Sequence, residues 1–243
     1  MSKVLVLGAG RVGRVIAADL AEDAGLAVTV ADRARSALDA VTGAGTVEAD
    51  LGVTGVVADL CGAAAVVEGA VPGRMGLAML QEVIQAGKPV ADITFSPENP
   101  LALNQAAEQA GVPVVVDIGV APGISNLLAG RAVEELDRTD SISIMVGGLP
   151  VRRVWPYEYR SVFSPTDVIE EYTRPCRMRV GGRNVTVPAL SGVELVDLPG
   201  VGTLEAFNTD GLRTLLDTLD VPELRERTLR YPGHADRMRM LRE

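Results

Sequence analysis

An apolar run, Val4 to Leu7, that breaks into Gly8, Gly10 and Gly13 and is followed by a carboxylate at Asp32 constrains this chain more than any other feature. Four apolar residues in a row read as a strand covered on both faces, the habit of parallel sheets. In G-x-G-x-x-G spacing the first glycine permits a tight turn and the second lets the backbone approach a pyrophosphate. The third lets the following helix pack closely on its strand. A helix over about 11–23 aims its N-terminal N–H groups at that diphosphate. Asp32 closes the next apolar run, 26–31, where a carboxylate accepts bonds from an adenosine ribose. Strand, glycines, helix, strand and acid in that order point to a dinucleotide site built from Gly8, Gly10, Arg11, Val12, Gly13, Asp32 and Arg33. The expected cofactor is NAD, because a carboxylate repels a 2′-phosphate. Arg33 and Arg35 could accept that phosphate, so NADP stays open.

The strand–helix alternation continues well beyond this unit. Strands are expected over 3–7, 26–31, 45–49, 64–68, 88–93 and 112–117, and helices over 11–23, 34–42, 52–62, 74–86, 97–110 and 124–136. Gly87 and Gly111 each sit where a helix ends. The fold class is α/β, a Rossmann doubly wound parallel sheet over residues 1–123. After about residue 137 the rhythm changes. Residues 141–148 alternate like a strand of an antiparallel sheet, 165–172 read as a helix, and Gly181-Gly182 sits between two short runs as a hairpin turn. Further strands near 193–197 and 203–207, a helix near 211–219 and a final helix from about 235 complete a smaller mixed α/β substrate domain over 124–243.

Composition narrows the function. A formal charge of −9 with no basic stripe argues against nucleic acid as partner. Only Lys3 and Lys88 are lysines, so a lysine nucleophile has few candidates. Cys61 and Cys176 lie far apart and match no metal or C-x-x-C spacing, which suggests a reduced compartment and no metal site. Strand one begins at once, without a signal-like segment, and no apolar stretch approaches a membrane span. A cytoplasmic protein acting on a small molecule, with no membrane partner, is the expectation.

Ligands of open parallel sheets sit beyond the carboxyl ends of the strands. After the fourth strand comes Gly69-Ala70-Val71-Pro72-Gly73, small and apolar enough to lie against a nicotinamide ring. Asp92 and Asp117 occupy equivalent places after the fifth and sixth strands. Two such carboxylates could hold an ammonium or take its proton, and each could equally cap the next loop. Ser125 and Asn126 read first as helix caps, and Glu68 as an edge-exposed strand end. The second domain gathers most of the few aromatic residues into Trp155–Tyr159, Glu170–Pro175 and Leu229–His234, which makes Tyr159 and Tyr231 substrate-facing candidates. Arg174 or Arg230 could clamp a carboxylate bidentately. His234, the one histidine, is a candidate acid or base, or else a structural group at a helix start.

With these segments in view, the chain resembles the saccharopine dehydrogenase-like family. The matching text includes Gly69-Ala-Val-Pro-Gly-Arg-Met-Gly76, Val116-Asp-Ile-Gly-Val-Ala-Pro-Gly-Ile-Ser-Asn126 and Val146-Gly-Gly-Leu-Pro150. It continues through Trp155–Tyr159, Val162–Pro175, Gly202–Gly211 and Thr228–His234, so it spans essentially the whole chain. The resemblance implies NAD(P)-linked oxidation or formation of a carbon–nitrogen bond in a lysine-like compound, and a homo-oligomer. Its best-matching branch implies oxidative deamination of lysine at C6, with the product aldehyde cyclising to a piperideine carboxylate. In that chemistry Asp92, Asp117 or His234 takes the ammonium proton, Arg174 ahead of Arg230 holds the substrate α-carboxylate, and Glu158 meets the α-ammonium. A reductase joining an amine to a carbonyl compound, and a nucleotide-binding form without turnover, are the alternatives. Ile118 departs from the family pattern, where Cys is frequent, and relatives continue past the position of Glu243.

Overall fold

A computed structural model describes residues 1–242, which divide into two compact units at Gly119/Val120. In the first unit six parallel strands follow the order β3-β2-β1-β4-β5-β6. They are β1 (Ser2–Leu7), β2 (Leu26–Asp32), β3 (Gly45–Glu48), β4 (Val66–Gly69), β5 (Val90–Asp92) and β6 (Val114–Val115). Helices α1 (Gly13–Leu20), α2 (Arg35–Leu38), α3 (Val56–Cys61), α4 (Gly76–Gln85) and α5 (Asn104–Ala110) make the crossovers. Each helix is shorter than its apolar pattern suggests. Gly73–Met75 and Pro100–Leu103 form 3-10 turns instead of first helical turns.

The alternation of β1 explains the two layers. Leu5 and Leu7 enter one core with Val67, Leu80, Val83 and Val90, while Val4 and Val6 enter the other with Ala17, Val28 and Val30. A strand with both faces covered can use apolar side chains throughout, which is what the run at Val4–Leu7 encodes. The chain order reverses between β1 and β4, and this reversal fixes the ligand crevice of such sheets.

The second unit begins with α6 (Ile124–Glu135) and β7 (Ser141–Gly147). Helix α7 (Pro165–Thr173) is capped by Ser164, whose Oγ accepts from the Asp167 N–H at 3.4 Å. The hairpin β8 (Cys176–Val180) and β9 (Arg183–Val187) turns at Gly181-Gly182, both at positive φ. There follow β10 (Glu194–Leu198), β11 (Gly202–Asn208), α8 (Leu215–Thr218), β12 (Glu223–Arg230) and α9 (His234–Arg242). The sheet runs β10-β11-β12-β8-β9, with β7 paired to β12.

Three findings differ from expectation here. Residues 141–147 do form a strand, but β7 lies parallel to β12 rather than in an antiparallel pair. And β12, the strand at the centre of the sheet, has no counterpart in the sequence reading. Its text, Glu-Leu-Arg-Glu-Arg-Thr-Leu-Arg, is charged at most positions, yet Glu226, Arg227, Thr228 and Arg230 are all buried. The helix near 211–219 shrinks to the single turn α8. Among the described residues no helix is long and apolar enough to cross a membrane.

Candidate active site

The fingerprint glycines of the first unit meet the loop that follows β4. A Cβ on Gly8, where φ is +113°, would fall on the Ala70 carbonyl oxygen, and a Cβ on Gly13 would fall on the carbonyl oxygen of Gly8. Ala70 donates its N–H to Leu7 O at 2.9 Å, which seats Ala70, Val71 and Pro72 beside the turn. A Cβ on Gly10, in contrast, would have nothing within 4 Å. The turn is therefore closed on its protein side by Gly8 and Gly13 and open at Gly10, the position at which a diphosphate must approach.

Asp32 braces this turn. Its Oδ2 accepts from Ala9 N–H and its Oδ1 from Ala34 N–H, both at 2.8 Å. Each carboxylate oxygen keeps acceptor capacity for a ribose hydroxyl, because an ionised carboxylate offers about four lone-pair sites. Arg33 lies 3.9 Å from Asp50, and Arg35 pairs with Asp39 at 3.0 Å and Glu48 at 3.9 Å. Both arginines are exposed, and both already face acids. Arg11 and Val12 are exposed at the start of α1.

At the carboxyl ends of the neighbouring strands the structure places three acids. Asp92 is buried, and its Oδ1 accepts from Thr94 N–H at 3.1 Å and Thr94 Oγ1 at 2.5 Å, so it caps its own loop. It packs against Gly69, where a Cβ would strike the carboxylate. Asp117 is also buried and takes a positive φ of 52°. The two loops meet, since Ile118 N–H donates to Asp92 O at 3.2 Å. Glu68, expected at an exposed edge, is instead half-buried on β4. Burial, reinforced by the charge of Asp92, pushes its carboxyl up to about 7.

In the second unit the aromatic segments converge on His234, the first residue of α9. Its Nε2 lies 2.9 Å from the Tyr172 hydroxyl and its Nδ1 lies 3.2 Å from the Tyr157 carbonyl oxygen. The carbonyl can only accept, so Nδ1 carries the proton and Nε2 accepts from Tyr172. Tyr159 and Tyr172 meet the ring edge-on and Phe207 stacks on it. Burial in that cage holds the imidazole down at about 4, with Arg230 and Arg237 adding to the effect.

Arg230 is buried beside the cage. Its Nε donates to Tyr172 Oη at 3.1 Å, its Nη1 to Leu229 O at 3.0 Å, and its Nη2 lies 3.6 Å from Glu171. The guanidinium also sits 4.5 Å over the Tyr159 ring. Arg174, at the end of α7, pairs with Glu170 at 2.8 Å, and burial lowers its pKa with nearby Arg213 contributing. Glu158, at a positive φ of 48°, forks to Arg153 at 3.1 and 2.8 Å, which lowers its pKa. Tyr231 donates to Pro150 O at 3.2 Å beneath Arg153. Asn126 caps α6 by accepting from Gly123 N–H at 3.4 Å, and Ser125 donates to the same amide oxygen at 3.1 Å.

Comparison with known proteins follows the same two-unit division. The family model "Saccharopine dehydrogenase NADP binding domain" matches residues 4–115, and "Saccharopine dehydrogenase C-terminal domain" matches 119–243. The chain belongs to the saccharopine dehydrogenase family. Its fold is similar to that of "Apo histidine-tagged saccharopine dehydrogenase (L-Glu forming) from Saccharomyces cerevisiae", with a TM-score of 0.81 at 21% identity over 99% of this chain and 57% of that one. A looser likeness joins it to a putative myo-inositol dehydrogenase from Sinorhizobium meliloti, at TM-score 0.53 and 12% identity, covering 95% of this chain and 70% of that one. Among curated sequences it is 26% identical over 152 residues to the mitochondrial alpha-aminoadipic semialdehyde synthase of Bos taurus and 29% identical over 147 residues to that of Mus musculus. Each alignment takes in 55% of this chain and only 16% of the relative.

As a saccharopine dehydrogenase family member the chain has an NADP-type binding domain, in keeping with the NAD(P) expectation. The structure brings the glycines, Asp32 and the Ala70–Pro72 loop together in the first unit, and Tyr159, Arg230 and His234 together in the second. Arg174 pairs with Glu170 apart from these, and Glu158 and Tyr231 meet through Arg153. Sequence reasoning passed over Glu171, Thr209, Glu226 and Thr228, a buried polar string on β12 and its neighbours. The signal was present as a charged strand with one threonine, Thr228, but nothing local distinguishes it from a solvated segment.

Proposed function

We propose that this chain is an NAD(P)-dependent oxidoreductase acting on a carbon–nitrogen bond of a lysine-like amino acid, by oxidative deamination of L-lysine at C6. The observation that supports it is the joining of an open, well-braced nucleotide turn to a family match over both units. Gly8, Gly10 and Gly13 would hold the diphosphate, Asp32 the ribose, and Ala70, Val71 and Pro72 the ring. The nicotinamide, when bound, supplies the hydride acceptor.

The chain's own task is to free the amine lone pair. A lysine ammonium titrates near ~10.4 in water, so a group close to neutrality must remove its proton. Asp117 and Glu68, at the carboxyl ends of β6 and β4, are the proposed acceptors. Burial lifts the Glu68 carboxyl to about 7, the range such an acceptor needs. Asp92 is proposed to hold the loop rather than the proton, because Thr94 occupies one of its oxygens twice. His234 has both ring nitrogens engaged, which favours a role in shaping its aromatic cage. Arg174 remains the proposed partner of the substrate carboxylate, since Arg230 spends its donors within the cage.

A second reading, formation or cleavage of saccharopine itself, draws support from the name of the family and of the yeast protein. Nicotinamide reduction followed with lysine, ornithine, saccharopine and diamines separates the two. Reduction of NAD or NADP with lysine alone supports the first. Turnover only with saccharopine, or oxidation of the reduced cofactor only when an amine and a carbonyl partner are both present, replaces it with the second. Nucleotide binding without turnover on any member removes both.

A further inference from the structure

β12 and its neighbours carry an unbroken string of oxygen atoms through the interior of the second unit. Glu226 Oε2 lies 2.7 Å from Thr209 Oγ1, Thr209 Oγ1 lies 2.8 Å from Thr228 Oγ1, and Thr228 Oγ1 lies 2.7 Å from Glu171 Oε1. These are three hydrogen-bonding contacts in series, with a carboxyl group at each end. An ionised carboxylate only accepts, and a hydroxyl brings one proton. Two threonines therefore provide two protons for three contacts. With both acids ionised, one contact would set two oxygens face to face at hydrogen-bond distance with no hydrogen between them. The string needs a third proton, and it can come only from one of the two acids.

The surroundings decide which end holds it. Glu171, on α7, faces the buried Arg230 cation at 3.6 Å, and a full positive charge at that range favours an anion strongly. Glu226 receives one backbone N–H, from Gly211 at 3.1 Å, and the charged groups facing it are acids, Glu171 and Asp210. Asp210 is itself forked by Arg177 from β8, at 3.0 and 2.9 Å, and lies near Arg174. Cys176, also on β8, keeps its proton because burial pushes its thiol up to about 12. One dipolar N–H competes poorly with a guanidinium.

We propose that Glu226 and Glu171 form a one-proton pair bridged by Thr209 and Thr228, with the proton resting on Glu226, so that the interior string titrates as one unit. In its protonated state Glu226 O–H donates to Thr209, Thr209 to Thr228, and Thr228 to the Glu171 carboxylate. Base removes one proton as water forms from hydroxide, and the string is left with two carboxylates and one contact lacking a hydrogen. Each hydroxyl then donates to its own carboxylate, and the contact between Thr209 and Thr228 is the one that parts. Burial pushing Glu226 up to about 8 agrees with the count and places the loss of the third proton just above neutrality.

The linkage has a definite sign. Glu226 is raised from 4.5 in the unfolded chain to about 8 in the folded one, so its contribution to stability is complete below 4.5 and lost as pH rises to about 8. Infrared spectra of the full chain test the assignment directly, because the C=O stretch of a neutral carboxylic acid is well separated from the carboxylate bands. Because Glu68 is itself raised to about 7, the spectra are read in a Glu68→Gln background. The expected result is a buried-acid band at pH 7 that fades as pH passes about 8, is missing once Glu226→Gln is added and persists when Glu171→Gln is added instead. A band missing from Glu171→Gln instead puts the proton at the wrong end and overturns the proposal. Absence of any such band in the wild type at pH 7, a reading that needs no variant to fold, overturns it as well.

Discussion

The two sheets of this chain solve the same burial problem in opposite ways. The centre of the first, β1 with β2 and β4, buries Val4, Leu5, Val6, Leu7, Val30 and Val67, side chains that need no partner. The centre of the second, β12, buries Glu226, Arg227, Thr228 and Arg230, each of which needs one. Apolar burial is non-directional and tolerates approximate packing. Buried charge is not tolerant, because an ion stripped of water and left unpaired costs several kcal/mol or changes its protonation. The first sheet can thus serve as a rigid platform that turns its strand ends toward a cofactor. The second is held by a polar string in which every member depends on the next, so it answers to pH and to single substitutions.

This contrast can be broken most sharply at Glu171. Glu171→Leu leaves Arg230 buried without its anion and should destabilise the second unit by about 3–5 kcal/mol, read from denaturant unfolding. A loss below about 1 kcal/mol would mean that Arg230 does not depend on its pairing. In the first sheet the sensitive point is steric instead. Gly13→Ala sets a methyl on the Gly8 carbonyl oxygen, and should cost about 1–3 kcal/mol and weaken nucleotide affinity in calorimetric titration. Thr228→Val removes the middle of the string and should cost ~1–3 kcal/mol, whereas Val67→Thr in the first sheet should cost as much for the reverse reason, an added hydroxyl with no planned partner.

His234 gives a milder test. It is the one histidine of the chain, so its ring resonances are read directly by NMR. They should stay in the neutral form from pH 7 through 5 and titrate near 4. Because the folded value lies below the unfolded 6.5, its contribution is complete above 6.5 and is lost as pH falls to about 4. A ring titrating near 6.5 would mean the cage is open to water. The smallest effect belongs to the exposed pair Arg131–Glu135 on α6, where Arg131→Ala should change stability by no more than about 0.5 kcal/mol.

The first unit was readable residue by residue because its logic is local. Apolar runs mark strands covered on both faces, glycines mark the turn, and Asp32 follows at the strand end. Even there the helices came out short, since apolar text extends into 3-10 turns at Gly73–Met75 and Pro100–Leu103. Glu68 was misjudged because a strand end reads as exposed until its neighbours are placed. The second unit yielded its hairpin, α7 and the aromatic segments, which have local signals. It concealed β12, whose pattern suits a solvated segment, and it concealed the direction of β7, which only its pairing partner decides.

What the sequence determined by itself, then, is whatever a residue's own preferences dictate: the positive-φ turn at Gly8, the parallel apolar strands, the acid at Asp32 and the family text along both halves. Tertiary structure alone decided which charges are buried, which nitrogen of His234 is protonated, and that Glu226 and Glu171 stand at two ends of one string. The reason is physical. Apolar periodicity is a property of a segment, whereas the cost of a buried charge depends on a partner that the fold brings from 57 residues away in the case of Thr228 and Glu171.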